Sequence, residues 1–248
     1  MLTRIREVVD MKSSLWRVDG WIGALCVMAF VAVYTPSSTA QAAKSWTPLF
    51  DGKDLSLWTQ TGAAQWKVES GVLVGGQGEP GQRGSTLVSK GQYRDFDLEL
   101  DFMIAEQPPG PDGTCAACTY NSGVYLRTGY QVNIGRREAG EFVGVVIHRV
   151  HPDAIRGNVL WLDKGDEKFP TLRKRNDWNH LQISFKGPRL QVSLNGTKIS
   201  DVSDNPTDPA EATWKEAAPI RLQWPPAGEA GGFAGFVKYR NIRIRELS

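Results

Sequence analysis

The feature that most constrains the fold is an alternation of apolar and polar side chains between Asn121 and Ile134. This pattern is typical of a β-strand that is buried on one side only, so we predict one such strand here. The apolar face would carry Val124, Leu126, Tyr130, Val132 and Ile134. The other face would carry Tyr125, Arg127, Gln131 and Asn133. An aromatic ring, a guanidinium and two amides are groups that bind polar, hydroxyl-rich ligands.

The same period of two recurs in many short segments of this 248-residue chain. The clearest is 96–104, where large apolar residues alternate with the acidic residues Asp97, Glu99 and Asp101. Asn195-Gly196 predicts a tight hairpin turn, and a shift of parity at Asn241 predicts a β-bulge. Short strands separated by turns favour an all-β domain built as a two-sheet sandwich or a barrel.

The N-terminal residues 1–42 are predicted to be an export signal. Lys12 and Arg17 precede an apolar run at 21–34, and Ala40-Gln41-Ala42 resembles a cleavage site. An uncleaved membrane anchor is the alternative, although the run is shorter than the roughly 20 residues that cross a bilayer. We therefore expect a periplasmic or secreted protein whose single domain covers 43–248.

Charge and cysteine usage narrow the classes of partner. The formal net charge is +2, and the signal contributes four basic and three acidic residues, so the mature chain is nearly neutral. This balance favours neither nucleic acid nor an anionic membrane surface beyond the N-terminal signal. Cys115 and Cys118 are predicted to form a disulfide in an exported protein. A zinc site with His148 and His151 is the alternative, but we predict no metal and no cofactor.

The polar side chains of several predicted strands favour a carbohydrate as partner, because amides and guanidinium groups bind hydroxyls while rings cover C–H faces. The predicted substrate-binding residues are Asn121, Tyr125, Tyr130, Gln131, Asn133 and Gln223. Two alternatives remain open at this point. Arg127 can be the structural ion-pair partner of a carboxylate, and Tyr125 and Tyr130 can be core aromatics.

Several segments resemble successive blocks of the 3-keto-disaccharide hydrolase domain family. They include 46–58, 95–98, 121–127 and 239–244, and the ordered resemblance covers roughly Trp46 to Leu247. It implies a concanavalin A-like jelly roll and an exported enzyme acting on 3-keto glycosides. In such sugars the ketone acidifies the C2 proton, so cleavage can proceed by proton abstraction and elimination. Direct hydrolysis would instead use two carboxylates.

The resemblance also implies site roles, and this chain departs from the family pattern in part. The family tends to carry Glu where this chain has Gln131, and Gln where it has Asn133. We therefore assign proton transfer to Asp101 and His148, and stabilisation of developing negative charge to Arg127. The alternative function is a catalytically inactive carbohydrate-binding module, and a third is an extracellular structural domain.

Overall fold

The protein is represented by a computed structural model. It describes residues 44–62, 66–75, 85–106, 120–137, 140–141, 143–148, 158–161, 172–205, 212–224 and 235–248. All of them lie in one compact unit that extends from Ala42 to Ser248. The predicted signal and the predicted Cys115–Cys118 disulfide lie outside the described residues.

The described residues form sixteen strands, numbered in chain order, and a 3-10 helix at Thr213–Lys215. The first sheet contains β1 (Thr47–Pro48), β3 (Lys67–Glu69), β4 (Val72–Gly75), β6 (Phe96–Glu106), β12 (Asn179–Lys186), β13 (Arg189–Leu194), β14 (Thr197–Ser203) and β16 (Gly235–Glu246). The second contains β2 (Trp58–Gly62), β5 (Ser85–Ser89), β7 (Tyr120–Leu126), β8 (Tyr130–Arg137), β9 (Gly140–Glu141), β10 (Val146–His148), β11 (Asn158–Trp161) and β15 (Arg221–Trp224).

The strand order makes the domain an antiparallel two-sheet sandwich. The first sheet runs β14-β13-β12-β6-β16-β4-β3, with β1 beside β16. The second runs β11-β10-β8-β7-β15-β5-β2, with β9 beside β8. Neighbours in space are often distant in sequence, as in the pairing of β6 with β12 and β16. The all-β prediction is confirmed.

The core lies between the sheets and consists of the apolar side chains at alternate positions of each strand. Large aromatic contacts join the two layers: the Phe185 ring of β12 meets the Tyr130 ring of β8 edge to face, with centroids 5.0 Å apart. The Ser122 and Tyr239 hydroxyls, from β7 and β16, are hydrogen-bonded at 2.7 Å. Ser122 also donates to the Gln223 carbonyl, so these two buried hydroxyls are both hydrogen-bonded.

Local turn chemistry follows the sequence closely. Asn195 and Gly196 have φ of 50° and 84° and connect the directly paired residues Leu194 of β13 and Thr197 of β14, as expected for a two-residue turn with positive φ at both positions. Asn241 has φ of 53°, and the pairing of β16 with β6 shifts register between Arg240 and Arg243. The predicted hairpin and the predicted bulge are both confirmed.

The prediction of one strand from Asn121 to Ile134 is wrong. The chain reverses at residues 127–129, where Arg127 has φ of 44° and Gly129 has φ of 96°. The two halves form the hairpin β7–β8, in which Tyr125 lies opposite Gln131. Parity survives the reversal because Leu126 pairs with Tyr130 across the three-residue turn. The apolar set therefore still shares one buried face.

Within the described ranges, the structure shows no helix with the length and hydrophobicity to cross a lipid bilayer.

We predict that Leu100→Ala lowers the free energy of unfolding by roughly 2–5 kcal/mol, the usual cost of a cavity at a fully buried leucine. Leu100 lies on β6 with no exposed surface. Leu57→Ala is the matched control, because Leu57 is 47% exposed, and it should change stability by less than about 0.5 kcal/mol. Urea unfolding followed by tryptophan fluorescence measures both, and equal losses would contradict this placement of the core.

Candidate functional site

The candidate site is the outer face of the second sheet, which we call the amide face. Its defining side chains come from β7, β8 and β15: Asn121, Tyr125, Gln131, Asn133, Arg221 and Gln223. Tyr125 lies directly between Gln131 on one neighbouring strand and Arg221 on the other. Side chains of the same parity on adjacent strands project from the same face, so the hairpin and β15 together present one polar surface.

Gln131 is the buried residue of this surface, and it holds Gln223 by a hydrogen bond. Its side chain is fully buried, and its Nε2 donates to the Gln223 Oε1 at 2.8 Å. It lies across Gly123, where an added Cβ would come within 2.1 Å of the Gln131 Nε2. A glycine is therefore required for the Gln131 side chain to cross the strand in this position. Since the Gln223 oxygen is occupied, its NH2 group is the end left to donate outward.

Tyr125 and Arg221 border a hollow of about 600 Å³ at one end of the amide face. The Arg221 guanidinium carbon lies 5.0 Å from the centre of the Tyr125 ring, a cation–π distance. Thr86 and the turn residues Thr128 and Gly129 also line this hollow. Arg221 was not among the predicted site residues. Its parity with Gln223, two residues away on β15, is the sequence signal that identifies it.

Arg127 does not lie on the amide face, contrary to prediction. The positive φ of the turn directs its side chain inward, where it is fully buried. It donates to the Asp95 Oδ1 at 2.8 Å and to the backbone carbonyls of Phe185, Gly187 and Trp214. Burial lowers the pKa of Arg127 to about 10, although Asp95 acts in the opposite direction. The structural ion pair, the alternative left open by the sequence, is the arrangement found.

His148 and Tyr130 are also interior residues. His148, to which the sequence assigned proton transfer, pairs with Tyr130 on β10 and is buried between the sheets. The two rings stack with centroids 4.4 Å apart, and the Tyr130 hydroxyl donates to Asp204 at 2.5 Å. Burial, with Asp204 as a second cause, raises the pKa of Tyr130. His148 Nε2 lies 3.2 Å from the Thr213 hydroxyl. Neither side chain reaches the amide face.

Asp101 belongs to the opposite sheet. It projects from β6 on the outer face of the first sheet, where His180 Nδ1 lies 2.9 Å from its carboxylate. Arg240 and Asn241 donate to its second oxygen. Desolvation raises the pKa of Asp101, but these three partners outweigh it, and the net shift is downward. The predicted base therefore cannot act on a ligand at the amide face.

The rest of the acidic row on β6 is paired as well. Arg243 donates to Glu99, and Arg245 donates to Asp97 at 2.6 Å. The outer face of the first sheet therefore carries paired charges, whereas the outer face of the second sheet carries amides.

Among residues whose side chains are described, the amide face carries no carboxylate and no imidazole. Nor does the described part of the chain contain a group of three metal-ligating side chains.

The comparisons with known proteins agree with this architecture. Residues 45–245 match the sequence profile of the 3-keto-alpha-glucoside-1,2-lyase-like domain. The comparison with curated proteins finds no match.

Similar solved structures include a protein from Parabacteroides distasonis ATCC 8503 assigned by name as a glycosyl hydrolase. It is 22% identical with a TM-score of 0.50, and the alignment covers 82% of this chain and 100% of that one. A second comes from a study of endo-acting O-glycanases of the human gut microbiota (11% identity, TM-score 0.56, coverage 84% and 100%). A third is the VIP36 exoplasmic/lumenal domain bound to Ca²⁺ and Man3GlcNAc (11% identity, TM-score 0.52, coverage 83% and 91%). These likenesses show a concanavalin A-like fold, as predicted.

The pair formed by the buried Arg127 and the partly buried Asp95 predicts a specific acid sensitivity. Desolvation raises the pKa of Asp95, but the hydrogen bond from the Gly187 N–H and the positive charge of Arg127 outweigh this effect. The pKa of Asp95 therefore lies below its ordinary value of 3.8. A folded-state pKa that is depressed stabilises the protein above the unfolded value, and this stabilisation is lost as the pH falls through the folded value. We expect the free energy of unfolding to fall as the pH decreases below about 5. Asp95→Asn should reduce this slope, measured by urea titrations across the range, and an unchanged slope would contradict the pairing.

Proposed function

The chain belongs to the 3-keto-alpha-glucoside-1,2-lyase-like domain family, and from that premise we propose that it binds 3-keto glycosides on the amide face and cleaves them by elimination. The family and the fold are carbohydrate-related. The observation that carries the proposal is the cross-strand arrangement of Tyr125, Arg221 and Gln223 above the buried Gln131. This surface offers hydrogen-bond donors and an aromatic ring, which are the groups that sugars require.

The chemistry follows from the ketone at C3 of the sugar. A base removes the acidified proton from C2, and the electron pair is delocalised onto the C3 oxygen as an enolate. The C1–O bond then breaks, and the departing oxygen of the aglycone takes up a proton. Water can afterwards add to the C1–C2 double bond and give the free 3-keto sugar. The protein must supply donors to the enolate oxygen and a group that transfers protons.

The amide face supplies these parts from neighbouring strands. Gln131 donates to the Gln223 oxygen, which leaves the Gln223 NH2 group as a donor. The partly exposed Asn133 lies two residues beyond Gln131 on the same face, so these amides are the proposed donors. Tyr125 carries a hydroxyl that can transfer a proton to or from the sugar. We therefore assign proton transfer to Tyr125, replacing Asp101 and His148. Gln131 acts as a positioning residue, because its buried amide holds Gln223 instead of acting as a base.

A carbohydrate-binding module without catalysis is the second candidate function. The observation that favours it is the composition of the amide face, on which the described side chains include no carboxylate and no imidazole. Binding requires only the amides, the Arg221 cation and the Tyr125 ring, all of which are present. The two candidates share one site and differ only in turnover.

We propose that the protein acts after export. The support is the sequence of residues 1–42, in which a basic segment and an apolar run precede Ala40-Gln41-Ala42. Expression of the full chain in a Gram-negative host should yield a periplasmic protein that begins at Ala43, as read by intact mass and N-terminal sequencing. A protein that keeps residues 1–42 in the membrane fraction would identify an uncleaved anchor and contradict the proposal.

The activity test uses 4-nitrophenyl 3-keto-α-glucoside and the absorbance of released nitrophenol. We expect release by the wild-type chain and a decrease in kcat of roughly 10²–10⁴-fold in Tyr125→Phe, the usual contribution of a proton-transfer group. Tyr93→Phe is the matched control, since Tyr93 lies before β6 and outside the amide face. Saturable binding without release would favour the binding module. Neither binding nor release would overturn both candidates.

A further inference from the structure

We propose that the hollow beside Arg221 binds an acidic substituent of the glycoside, a carboxylate or an equivalent oxyanion, so that the protein prefers acidic over neutral substrates. The inference rests on the proposed function, because it assumes that the amide face binds the sugar. It adds a subsite and a chemical class of ligand that the family assignment does not supply.

The first observation is the charge of Arg221. Other arginines of the sandwich are matched with carboxylates: Arg127 with Asp95, Arg243 with Glu99 and Arg245 with Asp97. Among the described residues, Arg221 has no carboxylate within ion-pair distance, and its Nε is buried without a hydrogen-bond partner. A partly buried guanidinium without a counter-charge is costly to maintain, so an anion that enters the hollow would be stabilised there.

The second observation is the geometry of the hollow. Arg221 lies on β15 with Tyr125 on one neighbouring strand and Val88 on the other, in the middle of the sheet. The Tyr125 ring lies 5.0 Å from the guanidinium carbon and limits the directions the fork can take. A guanidinium held in this way can donate two parallel hydrogen bonds to one carboxylate. The hollow of about 600 Å³ has room for such a group attached to a sugar.

The other cation that borders the hollow does not compete for this role. Arg127 contributes to the lining, but its guanidinium is fully buried and already donates to Asp95 and three carbonyls. The hydroxyl-bearing residues Thr86 and Thr128 complete a polar rim. Within the described lining, Arg221 therefore provides the positive charge that an anionic group would meet.

The acid group can belong to the sugar ring or to the leaving group, and the experiment separates these sources. Two matched pairs of 3-keto ligands are used: the methyl α-glucoside with its uronate, and the 4-carbamoylphenyl with the 4-carboxyphenyl α-glucoside. Stopped-flow tryptophan fluorescence measures the Kd of each ligand before turnover. The wild-type full chain should bind the acidic member of at least one pair about tenfold more tightly or better. The pair that shows the preference identifies the source.

Arg221→Met should bring the ratio of the two Kd values in that pair close to one, whereas Arg221→Lys should keep part of the preference because the charge remains. Lys67→Gln is the control, since it removes an exposed cation from β3 of the opposite sheet. The preference should also weaken in 1 M salt, where screening is strong. If Arg221→Met does not fold, three measurements still test the inference: the Kd ratios of the wild-type protein, those of Arg221→Lys, and their dependence on salt.

Equal affinity of the wild-type protein for both members of both pairs would overturn the inference and leave the proposed function intact. A preference that persists in Arg221→Met would also overturn it, because the charge would then come from elsewhere. Binding of none of the four ligands would remove the proposed function and the inference together.

Discussion

The guanidinium of Arg127 is buried between the two sheets, and this burial is stable only because four acceptors surround it. An unpaired charge in this position would cost several kcal/mol. The acceptors come from the segment before β6, from the β12–β13 hairpin of the first sheet and from the 3-10 helix at 213–215. One side chain therefore ties the β7–β8 turn of the second sheet to three separate segments. The hairpin that carries Tyr125 and Gln131 is held in place by this connection.

In both sheets apolar side chains alternate with polar ones along the strands, but the polar side chains of the two outer faces differ in chemistry. On the first sheet the acidic row of β6 is neutralised by the arginines of β16, as in the pairs Glu99–Arg243 and Asp97–Arg245. Such partly exposed pairs contribute little stability individually, and in each of them the carboxylate already accepts from an arginine. On the second sheet Gln131 contacts Gln223 and Arg221 contacts the Tyr125 ring, and no described carboxylate lies on this face. This second face therefore retains groups that can bind a sugar.

Much of the fold could be predicted from the sequence, because strands and turns depend on neighbours close in the chain. Parity identified the buried face of 124–134 correctly even though the chain reverses at Arg127. The Asn195-Gly196 turn and the bulge at Asn241 were predicted from residues that tolerate positive φ. The reversal itself was missed because Thr128-Gly129 is a weak turn signal, and an odd-numbered turn leaves the parity of the hairpin unchanged.

The candidate site was predicted only in part. The sequence by itself determined the residue types, the all-β class and the membership of Tyr125, Gln131, Asn133 and Gln223 in polar rows, since these follow from composition and period. Only the tertiary structure decided which rows meet: it placed Asp101 on the opposite sheet, turned Arg127 and His148 inward, and brought Arg221 beside Tyr125. The physical reason is that strand order and the direction of a side chain at a turn depend on contacts between residues far apart in the chain, and a local periodicity carries no information about those contacts.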